Sequence, residues 1–356
     1  MPGLTSHFVA RVLVVCASLL LFCSAGMAAQ TNTSGSPVPS PIHEVTDGYG
    51  RTVRVPVHPS RIVSLAPSLT ETLYALGVED RLVGDTDYCD YPPDAQKKPK
   101  VGGVVNPNLE QIAALHPDLI LLSKEGNLLE TVRALDSLGI PTYATDARTI
   151  DQIISSTQKL ADVLNVPEAG KTLAADLQQR LEALQVKLGG VPPRRVLFIV
   201  WPEPLMSVGK GTYIADAIRR AGAVSIVDSN QDWPQVSLEE VARLQPEFLV
   251  FATSHGGSGE HDFEALANRA GWQILDAVRN HRFAVVSDAI VRPAPRIVSV
   301  IEDLAHQLHP DVFPEKLGGE KDTAPANAPV PSPLPAKPMA SRFLASPCPL
   351  ESPCAR

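Results

Sequence analysis

Asn108-Leu-Glu-Gln-Ile-Ala-Ala-Leu-His-Pro-Asp-Leu-Ile-Leu-Leu122 aligns without a gap on Ser237-Leu-Glu-Glu-Val-Ala-Arg-Leu-Gln-Pro-Glu-Phe-Leu-Val-Phe251, at a constant offset of 129 residues. Each copy reads as a short helix opened by a side-chain N-cap, ended by a proline and followed by a hydrophobic strand. Leu, Glu, Ala, Leu and Pro match in register, so the body of the chain is expected to hold two lobes of one plan.

Outward from these copies, short β-branched runs alternate with helix-period segments, the pattern of an α/β fold with mostly parallel sheets. Strands are expected at Ile62 to Leu65, Leu119 to Leu122, Pro141 to Ala144, Val196 to Val200, Phe248 to Phe251 and Phe283 to Val286. Ser68 with Glu71 three residues on reads as a capping box for a helix that Gly77 stops. Between the lobes, Leu173, Leu177, Leu181, Leu184 and Leu188 form one apolar stripe, and Gly189 and Gly190 follow as stop signals. That segment predicts a long helix acting as a structural spine.

The ends differ from this body. Arg11, the apolar run Val12 to Phe22 and the small residues up to Ala29 read as an export signal cleaved near Ala28 or Ala29. Lipidation at Cys23 is the rival reading, disfavoured by the bulky Phe22 before it. The C-terminal region carries nine prolines between Pro325 and Pro353 and little periodicity, so no core is expected there. Cys348 and Cys354 are spaced to close a small ring at most. The expected organisation is therefore a signal at 1–29, a linker at 30–42, an N-terminal lobe at 43–166, the spine helix at 167–190, a C-terminal lobe at 191–317 and a Pro/Ala-rich tail at 318–356.

Composition narrows the function. With 356 residues, 44% hydrophobic, 20% charged and a net charge of -8, the chain is globular and acidic, without the massed Lys and Arg that nucleic acid requires. No nucleophile elbow or phosphate loop is present, and Gly209-Lys-Gly211 reads as a turn. Glu260 flanked by His255 and His261 could ligate zinc for a hydrolase, but a polar loop explains the same residues more simply, since no second His pair supports the metal. Aromatics make up only 5% of the chain, which makes their loop positions informative. Tyr88, Tyr91, Trp201 and Trp233 all stand beside regular elements, where strand-end loops of α/β sheets bind ligands. For Tyr88 and Trp233, a ligand platform and a lid over the core are comparable readings. Trp272 reads as core.

Six segments together carry a family resemblance: Asp47-Gly-Tyr-Gly-Arg-Thr-Val53, Arg61-Ile-Val-Ser-Leu-Ala-Pro-Ser-Leu-Thr-Glu71, Asp90-Tyr-Pro-Pro-Asp-Ala-Gln96, Asn108-Leu-Glu110, Trp233-Pro-Gln-Val-Ser237 and Pro295-Arg296. From about Asp47 to His309 the chain resembles the binding proteins of ABC importers for cobalamin and ferric siderophores, and the Asp-Tyr-Pro-Pro and Trp-Pro-Gln-Val-Ser segments lean toward the cobalamin branch. The resemblance implies two α/β lobes joined by one backbone helix, with the ligand in the cleft between them. It implies ligand contacts at Tyr88, Trp233, Asp288 and Arg292, with Val104 and Ser123 standing where a cobalamin receptor has tryptophans; Trp201, just after a strand, is added as a further flat apolar wall for a broad corrin plate. It further implies that Glu110 and Glu239 dock onto a permease dimer. On this reading the protein is a monomeric, periplasmic, non-enzymatic receptor without a resident cofactor or metal, and cobalamin is its cargo. A ferric siderophore or haem receptor is the alternative within the family.

Overall fold

A computed structural model describes residues 41–253 and 259–314, and those up to Val312 form one compact unit. The signal, most of the linker, the Pro-rich tail, Cys23, Cys348, Cys354, His255 and the side chains of Glu260 and His261 lie outside the described residues.

The chain enters through a hairpin of β1 (Ile42–Thr46) and β2 (Thr52–Pro56), so the expected linker ends one residue early. The hairpin turn explains the Asp47 to Val53 segment. The buried Asp47 carboxylate accepts the Tyr49 and Arg51 amides and pairs with the Arg51 guanidinium at 2.7 Å. Gly48 lies so close to the lobe that an added Cβ would be 2.7 Å from the Asp146 amide, and its own amide donates to the Ala144 carbonyl at 2.6 Å.

The N-terminal lobe runs β3 (Ile62–Ser64), α1 (Pro67–Ala75), β4 (Leu82–Asp85), α2 (Leu109–Ala114), β5 (Leu119–Ser123), α3 (Leu129–Ser137), β6 (Thr142–Thr145) and α4 (Ile150–Val163). Its four strands are parallel in the order β4-β3-β5-β6. Both faces are covered, by clusters around Leu119, Leu121 and Leu73 on one side and Ile120, Leu122 and Leu135 on the other. β5 is buried at every residue, as a central parallel strand must be.

α5 (Pro167–Leu188) is the spine, 22 residues long with Pro167 in its first turn. Of the five leucines of the stripe, Leu177, Leu181 and Leu184 are buried, joined by Gly170 and Ala174, while Leu173 and Leu188 at its ends are half-buried. Gly170 fits against α4, where a Cβ would stand 2.4 Å from the Ala161 methyl. Farther along, Arg180 pairs with Glu302 at 2.6 Å and donates to Ser299 at 2.8 Å, which fixes the spine to the last helix of the other lobe.

The C-terminal lobe follows with β7 (Arg194–Ile199), the short hairpin β8 (Trp201–Pro202) and β9 (Leu205–Met206), α6 (Tyr213–Arg220), β10 (Ala223–Ser225), α7 (Leu238–Leu244), β11 (Phe248–Ala252), α8 (Gly259–Ala267), α9 (Asp276–Arg279), β12 (Phe283–Val286) and α10 (Ile297–Leu308). Its main sheet, β10-β7-β11-β12, is parallel and repeats the strand order of the first lobe. The internal repeat therefore marks a duplicated architecture. Trp272 is buried in this lobe's core, as expected. Sequence periodicity misses the short sheet strands β4 and β10, whose three or four residues carry little alternation, and both hairpins, β1–β2 and β8–β9.

One local expectation is overturned. Ser68 and Glu71 do not form a capping box: α1 starts from Ala66 without a side-chain cap, and both residues are buried inside the helix. Pro67 sets the first turn instead, since it has no amide to satisfy. Glu71 is thereby released for a different partner.

Candidate functional site

Parallel strands aim their carboxyl ends in one direction, and in both lobes the loops at those ends meet. Between the lobes, the Ile150 amide at the start of α4 donates to the Asp216 carboxylate of α6 at 2.9 Å, and Arg220 reaches Asp151 at 2.7 Å. These contacts close the base of a cleft whose sides are the strand-end loops.

The first lobe's side of the cleft is organised by Asn127. Its carbonyl accepts the Ser123 amide at 2.7 Å, while its NH2 group donates to the carbonyls of Leu65 and Val104 at 2.9 and 2.8 Å. One buried amide thus ties the ends of β3 and β5 to the Val104 loop. Lys100 does the same for the loop after β4, donating to the carbonyls of Cys89 and Ala95 at 2.9 and 3.2 Å and to Asp85 at 2.8 Å. That loop presents Tyr88 and Tyr91 at 52% and 43% exposure, large for tyrosines on an ordered segment.

On the other lobe, Trp201 is 57% exposed on the β8–β9 hairpin, so it is not a core residue; its indole N–H donates to the Glu203 carbonyl at 2.8 Å. Trp233 is 36% exposed on the loop that leads to α7. The backbone of Gly209 supports this loop: its amide donates to the Asp232 carbonyl at 3.0 Å, and an added Cβ would fall 1.8 Å from the Gln231 oxygen. The Gly209-Lys-Gly211 turn is thus the seat of the Trp233 loop.

Arg292, expected from the resemblance as a polar ligand contact, is 7% exposed and held by three carboxylates: Glu71 at 2.9 Å, Asp90 at 2.7 Å and Asp288 at 2.7 Å. Burial opposes its charge, but the hydrogen bonds it donates to Asp90 and Glu71 and the field of Asp288 hold its pKa above the usual arginine range. Arg296, one turn on, donates twice to Glu71, at 3.0 and 2.9 Å, and its guanidinium stacks 3.8 Å from the centre of the Tyr91 ring. Glu71 and Asp90 belong to the first lobe and the arginines to the second, so this cluster bridges the cleft.

A second bridge joins Arg148, after β6, to Asp232, beside Trp233, through two guanidinium hydrogen bonds. Glu125 opens onto the same region. Desolvation raises its carboxyl pKa, with Arg148 pulling it down and Asp232 and Asp146 adding to the rise. Below these groups a small cavity of about 20 Å³ is lined by residues including Leu69, Thr72, Ser123, Thr157 and Pro293, room for a water or so.

Glu110 and Glu239 sit at matching exposed positions. Asn108 caps α2 by accepting the Glu110 and Gln111 amides at 3.1 Å, and Ser237 caps α7 by accepting the Glu240 amide at 3.1 Å. Among the described residues no group of three or more His, Cys, Asp or Glu is placed to hold a metal ion, and no helix is long and apolar enough to cross a membrane.

Two like α/β lobes joined by one helix and bridged by ion pairs between their strand-end loops have the plan of a two-lobed solute receptor. The chain belongs to the periplasmic binding protein family, whose model matches residues 62–289. It is 33% identical over 256 residues to the vitamin B12-binding protein of Vibrio cholerae, spanning 71% of this chain and 90% of that one. The crystal structure of the periplasmic vitamin B12-binding protein BtuF of Vibrio cholerae superposes with a TM-score of 0.62 at 31% identity, covering 70% of this chain and 96% of that chain. A periplasmic haem-binding protein from Pseudomonas aeruginosa gives a TM-score of 0.64 at 26% identity, covering 71% and 93%.

Of the residues the sequence points to, Tyr88, Trp233, Asp288 and Arg292 follow the ends of sheet strands, and Trp201 stands on the β8–β9 hairpin. Glu71, Arg148 and Asp232 were missed as a site. No sequence signal marks Glu71: only the burial of six consecutive residues of α1 shows a carboxylate that needs a cationic partner.

Proposed function

We propose that this protein is the solute-binding component of an ABC importer, exported to the periplasm, that captures cobalamin in the inter-lobe cleft and delivers it to a membrane permease. The observation that carries the reading is a set of exposed aromatics on the loops and hairpin that follow the sheet strands, Tyr88 on one lobe and Trp201 and Trp233 on the other. A corrin is a broad plate edged by amides, and exposed aromatic faces offer it area at small entropic cost. The identity to vitamin B12-binding proteins supports the same ligand. The protein acts as a monomeric carrier rather than an enzyme, and Glu110 and Glu239, one per lobe, meet basic residues of a permease dimer.

The test is calorimetric titration of the chain lacking residues 1–29 with cobalamin, haem and a ferric siderophore. Saturable heat with cobalamin is expected. Heat only with haem or the siderophore would replace the ligand while leaving the family membership untouched.

A further inference from the structure

Anionic chelates are recognised by cations that have N–H donors to spare. Haem offers propionates and catecholate siderophores carry several negative charges, so a receptor for either needs guanidinium or ammonium groups without internal partners. The arginines at this cleft have none to spare. Arg292 spends its N–H groups on Glu71, Asp90 and Asp288, Arg296 is held by Glu71 and covered on one face by Tyr91, and Arg148 is gripped by both oxygens of Asp232. Glu125 adds a further carboxylate beside the Arg148 bridge. A ligand carboxylate entering here would have to displace a carboxylate already in place, and until it did so it would face Glu125 and Asp232 as like charges. Amides meet the opposite situation, because each ionised carboxylate has about four acceptor sites and only some are used.

We propose that the cleft selects by charge, accepting an uncharged, amide-edged macrocycle and rejecting its polycarboxylate counterpart, with Asp232 as the specificity-determining residue because it neutralises Arg148 next to Trp233. This deepens the corrinoid reading and rests on it.

Two corrins of one frame separate charge from shape: dicyanocobinamide, whose peripheral acids are amidated, and cobyrinic acid, the corresponding heptacarboxylate. With the chain lacking residues 1–29 at pH 7.5, dicyanocobinamide is expected to bind at least 100-fold tighter. Asp232→Asn, which removes the paired counter-charge from Arg148 and leaves only the more distant Glu125 and Asp146, should narrow that ratio at least tenfold by tightening cobyrinic acid, a gain that mere loosening of the fold cannot produce. Glu125→Gln, which does not depend on the inter-lobe bridge, should move the ratio the same way by a smaller factor. Affinities within threefold of each other in the unaltered protein, failure of both corrins to bind, or an unchanged ratio in both variants would overturn the proposal. Cobalamin binding alongside equal corrin affinities would sink charge selection alone, whereas haem binding without any corrin would sink the ligand reading as well.

Discussion

His116 and Gln245 stand 129 residues apart and share a left-handed backbone, with φ of 46° and 45°. Each follows the last turn of a short capped helix and precedes the proline that leads into the central strand of its lobe. The likeness extends to tertiary contacts. Arg61 donates to the Leu115 carbonyl on one lobe, and Arg195 donates to the Leu244 carbonyl on the other. Asp118 and Glu247, also matched by the offset, each accept backbone amides at the start of the neighbouring strand, from Arg61 at 3.0 Å and Arg195 at 3.4 Å. The same turn closes the same strand-helix unit twice.

A β-branched side chain tolerates that conformation poorly, because its Cβ substituents crowd the backbone at positive φ. His116→Val is expected to cost about 1–2 kcal/mol in urea unfolding, whereas His116→Gly should lie near neutral. Equal losses for both would mean that the imidazole, and not the backbone, matters there.

The features legible in the sequence were those written in local pattern: the repeat, the leucine stripe of α5, the buried central strands and the aromatic loops. What pattern could not reveal were pairings across the cleft. Glu71 to Arg292 spans 221 positions and Arg148 to Asp232 spans 84, and no periodicity connects residues on separate lobes. Glu71 was misread for a related reason: Ser-x-x-Glu matches a capping box locally, and only the burial of α1 reveals that the carboxylate points elsewhere.

The Trp233 loop offers a test of how the platform is held. Gly209→Ala places a methyl where Gln231 already has its carbonyl, so the loop must move. Cobalamin affinity should fall at least tenfold, accompanied by a change in tryptophan emission. Trp233→Ala removes the platform outright and should weaken binding by about 1–3 kcal/mol by calorimetry. Undiminished affinity in both would place the ligand away from this loop.

Asp85 makes a pH prediction. Its side chain is wholly buried, with one oxygen on Lys100 and the other without a hydrogen-bond partner, and burial raises its carboxyl from 3.8 to about 6 against the pull of Lys100. The folded state therefore holds this proton more tightly than the unfolded chain. The group's contribution to stability is fully present below pH 3.8 and is lost as pH rises through about 6. Relative to Asp85→Asn, the unaltered protein should lose up to about 3 kcal/mol between pH 4 and 7 by chemical denaturation. A constant difference between the two proteins across that range would contradict a raised pKa.

Glu110 and Glu239 present the last test. Both are exposed and both occupy the first turn of a helix, where the dipole alone stabilises a carboxylate by about 0.3–1 kcal/mol, so their presence needs no partner to explain it. What the dipole does not require is that the same acid recur at one offset on each lobe. A permease dimer offers two equivalent surfaces, and a receptor with one acid per lobe can engage both. Glu110→Arg combined with Glu239→Arg should lower the melting temperature only slightly, because reversal in each first turn loses little more than the dipole term, and cobalamin affinity should persist because neither residue belongs to the aromatic rims. Uptake into vesicles holding the cognate permease should be abolished, since like charges brought together at a docking surface cost several kcal/mol. Each single reversal should fall between the two extremes. Full uptake by the double variant, measured on the same preparation as its melting and binding, would leave the helix dipole as the whole account of both residues.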